Sequence, residues 1–573
     1  PRQIMSLIEA ISDYVRRMLT LPTVKGMKAL ILDEETSGIV GLVCSHSAIL
    51  EQHVFLVERI DSKTSENMSH LKAVVFVRPT PANLQFVKAL LKNPQYQEFH
   101  LFFSNIVPRE MLRDLAESDA YELVKEVHEF YADYFAISAD LFSLNMPFTN
   151  CLYSGNWGDA EQKKFTRICD GLLSLALSLK TRPIVRYQAS SGICERVAKK
   201  VDQVMSGQRD LFSFGPDSAS RPVLLILDRR EDPVTPLLMQ WTYRSMLHEV
   251  IGIQNNRLSY KQNDGTKKEV VLGHDDAFFK ASALLNFGDL GVSVKELVQG
   301  YQVKTKSERQ LDTIEDMQRF VENYSDFLVE SSTVSKHVGL VSELSHSVES
   351  YHLMELSALQ QTLSCEHSHS VAIRQVTEVI KNPRIRDEDK LRVVCLYALR
   401  YEQEANETVS CMALLRTCAE SELARSRVSL VNLLLRYAGS ASRTQDLFQN
   451  KDIFAKATSY ISSGIKGVEN IYTQHDPLLR KILDNARKQR LKANEFPICG
   501  VGPQQEQPAK QIFVFMIGGA TYEEAALISE FNNSYRDQQF ILGGSSIHNS
   551  STFLEDIYLG SQASPQVAIT LSQ

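Results

Sequence analysis

The residues best placed to do chemistry stand at the end of one apolar run. Val223 to Leu227 lead into Asp228, Arg229, Arg230 and Asp232, and five apolar residues in a row read as a buried parallel strand. Ligands of open α/β sheets bind at the carboxyl ends of strands, so these charges lie where an active site would. Asp228 and Asp232 could share a divalent cation. Arg229, Arg230 and Arg244 offer them ion-pair partners instead, and structural pairing is the reading favoured. Thr235-Pro236 reads as a helix start, with Thr235 as the cap. A second candidate is Gly518-Gly519, which follows the apolar run Ile512 to Ile517 as a phosphate cradle would. Against that, Thr521 and Glu524 have the spacing of a capping box, and Glu523 and Glu524 would repel a phosphate. A third is His367-x-His369 beside Cys365 and Glu366, which matches no strong zinc spacing. His46, His248 and His337 have no neighbouring Ser or Cys arrangement that nominates a nucleophile. No cofactor is expected.

The elements that would position these groups follow from periodicity. Ile4, Leu7, Ile8, Ile11, Val15 and Met18 give a first amphipathic helix. Strand-like runs at Ala29–Leu32, Val54–Val57, Ala73–Val77 and His100–Phe103, with a helix over Ala82–Leu91, predict a parallel sheet covered by helices. That unit spans residues 1–140. Asn145–Trp157 reads as a linker. Helices over Lys163–Leu179 and Gly192–Met205, and strands at Pro183–Arg186 and Val223–Leu227, make a second α/β unit over 141–245. Runs 512–517 and 540–542 have no local partners, so they are expected to return to that second sheet, making it discontinuous (141–245 and 470–573). Between them, 246–469 reads as mainly helical, after a short hairpin around Asn263-Asp264-Gly265. Two stripes, Ile314/Met317/Val321/Tyr324/Leu328 and Val334/Val338/Val341/Leu344/Val348, flank polar Ser331-Ser332-Thr333. They predict a long helical hairpin over about 309–350 that turns at the polar break.

Composition narrows the function. The 573 residues carry a net charge of −7, with 43% hydrophobic and 23% charged residues. Those are ordinary globular proportions, and nothing in them suits a nucleic-acid partner. No apolar run reaches the length of a membrane span. The nine cysteines lack any C-x-x-C and suit a reducing compartment. A cytoplasmic location is expected.

Two long motifs then identify a family. Leu224-Leu-Ile-Leu-Asp-Arg229, Asp232, Thr235-Pro-Leu-Leu238 and Trp241-Thr-Tyr243 resemble the central signature of the SM (Sec/Munc) family of syntaxin-binding proteins. Val514-Phe-Met-Ile-Gly-Gly-Ala-Thr-Tyr-Glu-Glu-Ala525 resembles its C-terminal signature. Glu58-Arg-Ile-Asp-Ser62, Thr333-Val-Ser-Lys-His-Val338 and Gly467-Val-Glu-Asn-Ile-Tyr-Thr-Gln-His475 resemble the endosomal and trans-Golgi branch.

The resemblance implies an arch of three domains: two parallel-sheet α/β domains, with a large helical domain inserted in the second. It implies a non-enzymatic SNARE assembly chaperone in Golgi–endosome–vacuole transport, peripheral on Golgi and endosomal membranes through its SNARE partners. An endosomal or trans-Golgi syntaxin (a Qa-SNARE) would bind as a helical bundle in a cleft that Glu58 and Arg59 help line. The syntaxin's N-terminal peptide would sit in a pocket of Val107, Leu112, Leu115, Phe135 and Ile137. The R-SNARE would align on the hairpin near Phe327, Leu328, Val334 and Lys336. Many relatives carry Asn-Tyr-Pro near that turn, whereas this chain has Asn323-Tyr324-Ser325 and so lacks the proline that would limit helix extension. The contrasting readings are a nucleotide-dependent α/β hydrolase using Asp228 and Gly518, and a subunit of a large membrane-tethering complex.

Overall fold

The computed structural model describes residues 5–562, apart from 63–66, 154–156, 215–220, 262–265, 274, 309–313, 367, 445–446, 449–471, 473 and 501–506. Of 261, 304–308 and 314–327 it describes the backbone alone. The chain packs as two compact units. One is Pro1–Arg229 with Ile482–Ala520 and Leu527–Ile547; the other is Arg230–Lys481 with Thr521–Ala526 and His548–Gln573.

The first unit holds two sheets. The first has five parallel strands in the order Val54–Arg59, Lys28–Leu32, Met68–Val77, Tyr96–Phe103, Val124–Glu129. One face buries Ala29, Ile31, Ala73, Val75, Phe99 and Leu101 in a continuous core with Leu84, Val87 and Leu91 of the Pro81–Lys92 helix. The Leu7–Thr20 helix begins with the reciprocal Ser6–Glu9 capping box, and its 7/10/11/15/18 stripe is buried.

The second sheet tests the long-range expectation. Its order is Phe135–Ala136, Leu141–Ser143, Gln539–Gly544, Gln511–Ile517, Val223–Asp228, Ile184–Tyr187. Ile512 to Ile517 lie parallel to Val223 to Asp228 in unbroken register, and Gln511 to Met516 lie parallel to Gln539 to Gly544. Strands nearly 300 residues apart in sequence thus pair as predicted, because wholly apolar strands must be covered on both faces.

Three expectations are corrected. Phe135–Ala136 pairs with Leu141–Ser143, so the chain joins the second sheet before residue 140. The 145–157 stretch is not a free linker. Cys151 and Leu152 are buried, and the Tyr153 hydroxyl donates to Asp228 at 2.8 Å. Thr235 does not cap a helix. Thr235–Leu237 is a single 3₁₀ turn, whose first amide is taken by the Asp232 carboxylate, and an α-helix starts only at Tyr243.

The second unit is helical from Ala277 onward, after an antiparallel hairpin pairing Arg257 to Lys261 with Lys267 to Val271. The turn expected at Asn263-Asp264-Gly265 lies outside the described residues. The long hairpin differs from expectation. One helix, Ile314–Ser350, runs unbroken through Ser331-Ser332-Thr333, and its partner is Phe287–Glu308. Hydroxyl residues do not stop a helix when they bond back to it, and Thr333 Oγ1 donates to the Val329 carbonyl at 2.9 Å. The buried face also differs from the predicted stripe. It is His337, Leu340, Leu344 and Ser347, while Val338 is exposed.

Candidate functional site

The order of the first sheet reverses direction between Lys28–Leu32 and Met68–Val77, which makes the carboxyl ends of those strands the default ligand crevice. Here the protein's own side chains fill it. Asp33 caps the Glu34–Val43 helix through the Thr36 amide, and also accepts from the Arg78 amide and Asn83 Nδ2 at 2.7 and 2.6 Å. Arg78 then bridges outward, Nε to Asp133 at 2.7 Å and Nη1 to Glu35 at 2.8 Å. Arg167, on the Asp159–Ser178 helix, reaches the same Asp133 at 3.3 Å, and Asn105 Nδ2 donates to it at 3.0 Å. Burial works against the Arg78 charge, yet Asp133 and Glu35 raise its pKa and keep it ionised. Burial pushes the Glu35 carboxyl up, and pushes Asp170 up to about 6 with help from the Asp133 charge.

The strand ends of the second sheet are likewise engaged. Asp228 accepts from Tyr153 and Ser191, and its amide donates to Gln188. Arg229, wholly buried, donates Nε to the Gly519 carbonyl at 3.0 Å. Gly518 and Gly519 have φ of +93° and +89°, the left-handed region that glycine alone enters cheaply. Their amides, which a phosphate would need, donate to Ser545 Oγ and to the Met516 carbonyl. Thr521 and Glu524 form the expected reciprocal box, at 3.0 and 3.2 Å. In the second unit, Asp232 accepts from Thr235 and from the Leu478 amide, and Glu231 accepts from Thr444. His367 lies outside the described residues, and His369 Nε2 sits 2.9 Å from the Tyr397 hydroxyl. Among the described residues, no group of three or more His, Cys, Asp or Glu side chains is placed to hold a metal. Among them, too, no helix is long and apolar enough to cross a membrane.

Both strand-end clusters are thus tied into the protein by their own hydrogen bonds and ion pairs. A model described as the Sec1 family matches residues 28–556. The chain belongs to that family. It is 42% identical to vacuolar protein sorting-associated protein 45 of Mus musculus, with 96% of each chain covered. It is also 42% identical to the homolog from Arabidopsis thaliana, over 96% of this chain and 98% of that one. Its fold matches a solved structure of SM protein Vps45 in complex with Qa SNARE Tlg2, with TM-score 0.88, 40% identity, and 97% and 98% of the two chains covered. The resemblance carried by Leu224–Tyr243 and Val514–Ala525 is thereby confirmed.

For this Sec1-family chain, the structure sorts the expected contact residues. Leu112, on the Arg109–Ser118 helix, is 38% exposed. The other four pocket positions are buried. Val107 and Leu115 belong to the first sheet's buried cluster. Phe135 presses on the Glu34–Val43 helix, where a Cβ on Gly38 would come within 2.7 Å of its ring. Ile137 is buried, and its amide bonds to the Leu141 carbonyl. Glu58 and Arg59 do not face the same way, because successive strand residues point to opposite faces. Glu58 accepts from the Tyr96 hydroxyl at 3.1 Å on the core side. Arg59 points outward with Phe55 and Val57, held by a two-pronged pair to Asp61. Phe55 and Val57, at 59% and 38% exposure, share that outward face of the edge strand.

On the hairpin helix Leu328 is 50% and Val329 66% exposed, and Val334 is half-buried. The Phe327 side chain lies outside the described ones. The Lys336 ammonium pairs with buried Asp276.

Proposed function

We propose that the chain is a SNARE regulator that binds an endosomal or trans-Golgi syntaxin and promotes SNARE complex assembly in Golgi–endosome–vacuole transport. The observation that carries this is the end-to-end likeness to a Vps45 solved with a Qa SNARE, at an identity where partner class is commonly shared. Leu112 would meet the syntaxin's N-terminal peptide, and the outward row Phe55, Val57 and Arg59 its helical bundle. Exposed Leu328 and Val329, with Val334, would hold an R-SNARE helix on the hairpin. Aligning helices before they zipper removes part of the ordering entropy that slows assembly. No step needs a catalytic group, and membrane association would come through the SNAREs. Leu112→Arg is expected to weaken binding of the syntaxin N-terminal peptide about tenfold or more, because a charge cannot be desolvated against an apolar peptide side chain. The thermal midpoint should not move, since Leu112 lies outside the core cluster. Equal calorimetric affinities for the two proteins would remove Leu112 from the site.

A further inference from the structure

The long helix Ile314–Ser350 has 37 residues and is about 55 Å long at 1.5 Å per residue. Its described side chains run from Leu328 onward. Leu340, Leu344 and Ser347 are buried, whereas Leu328 and Val329 stand in solvent. The change falls at His337, whose side chain has no exposure at all and is polar where the rest of the seam is mostly apolar. His337 Nε2 lies 3.0 Å from Asp276 Oδ2, and Nδ1 lies 2.9 Å from the Tyr243 hydroxyl. Asp276 also receives the Lys336 ammonium, and the Phe279 amide at 2.8 Å as cap of the Ala277–Ser282 helix. The Phe278 ring packs 4.6 Å from the imidazole. Two residues further on, Gly339 lets the helix close on Tyr260, whose hydroxyl a Cβ there would meet at 2.4 Å.

We infer that Asp276, His337 and Tyr243 form a latch that fixes the register of the long helix and so aims its exposed Leu328 and Val329. The imidazole engages both partners at once, Nε2 with Asp276 and Nδ1 with the tyrosine hydroxyl. A purely apolar seam would tolerate a slip or a change of tilt. A buried imidazole does not, because sliding the helix by one turn, about 5.4 Å, takes the imidazole and the ammonium from the Asp276 carboxylate and the imidazole from the Tyr243 hydroxyl. Burial alone would raise the Asp276 carboxyl, yet the bonds from His337, Lys336 and the Phe279 amide hold it well below the usual carboxylate range. The partner that profits is the helix expected to dock at Leu328 and Val329, so the functional value of the latch rests on the proposed role of the hairpin.

The test uses hydrogen exchange on the full chain alone, so it does not depend on a partner. Tyr243→Phe removes one hydroxyl and keeps the ring. Exchange of amides in 328–344 should rise about five-fold, the effect of losing one hydrogen bond on local opening, while the rest of the helical unit keeps its protection. His337→Leu, which keeps the seam packed but severs both bonds, should do the same to a greater degree. Unchanged exchange over 328–344 in both variants overturns the latch. A uniform rise across Arg230–Lys481 overturns it too, since that would mean general destabilisation. An R-SNARE that fails to bind wild-type protein whose exchange responds as expected would instead count against the hairpin's proposed role and leave the latch standing.

Discussion

Asp133→Ala is expected to destabilise the first unit by about 3–5 kcal/mol, one of the two largest losses foreseen for a single substitution in this chain. Asp133 is buried at 1% side-chain exposure and is the anion shared by Arg78 and Arg167, which are themselves only 13% and 8% exposed. Removing it leaves two desolvated guanidinium groups with Glu35 as their remaining close carboxylate. Arg78→Met combined with Asp133→Ala should recover part of the loss, because taking out both partners spares the unpaired cation its penalty. The chain has two tryptophans, Trp157 in the first unit and Trp241 in the second. Urea unfolding followed by Trp157 fluorescence in a Trp241→Phe background therefore reports the first unit separately. A cost below about 1 kcal/mol for Asp133→Ala would show that the cluster contributes no more than a surface pair.

Phe142→Ala is the second large effect, about 3–5 kcal/mol in the same assay. Phe142 sits on the three-residue strand Leu141–Ser143 with no exposure, edge-on to Tyr134 at 5.5 Å and stacked with Phe515 at 6.0 Å. Its ring occupies the space left by Gly543, where a Cβ would lie 2.0 Å from Cζ. This is where the N-terminal segment and the strands from beyond residue 510 lock together. The cavity left by alanine cannot collapse without moving two strands. Gly543→Ala probes the same contact from the other side and should cost about 1–3 kcal/mol by overpacking. Tolerance of both substitutions would mean that the short strand adds little to holding the discontinuous sheet together.

What the sequence disclosed follows the same physics. Ile512–Ile517 and Phe540–Leu542 were legible as returning strands because uniformly apolar runs without local partners have to be covered by something distant. The Thr521–Glu524 box was legible because capping depends on spacing alone. Val124–Glu129 was not, since Val-Lys-Glu-Val-His-Glu on an edge strand faces water and charged neighbours and carries no apolar run. The hairpin turn was misplaced because a polar triplet was taken for a break, whereas no proline lies between Ile314 and Ser350 to enforce one. Contact residues were the least legible. Leu112 and Leu115 share one helix, and Glu58 and Arg59 one strand, and only the packing shows which of each pair is turned inward.

The central claim is that this chain recognises a Qa-SNARE. The most direct measurement is titration of the full chain against the fluorescently labelled cytosolic region of an endosomal or trans-Golgi syntaxin, followed by anisotropy. Saturable one-to-one binding is predicted, weakened by Leu112→Arg and abolished when the syntaxin loses both its N-terminal peptide and its helical bundle. No saturable binding by well-folded wild-type protein to any endosomal or trans-Golgi syntaxin would contradict the account.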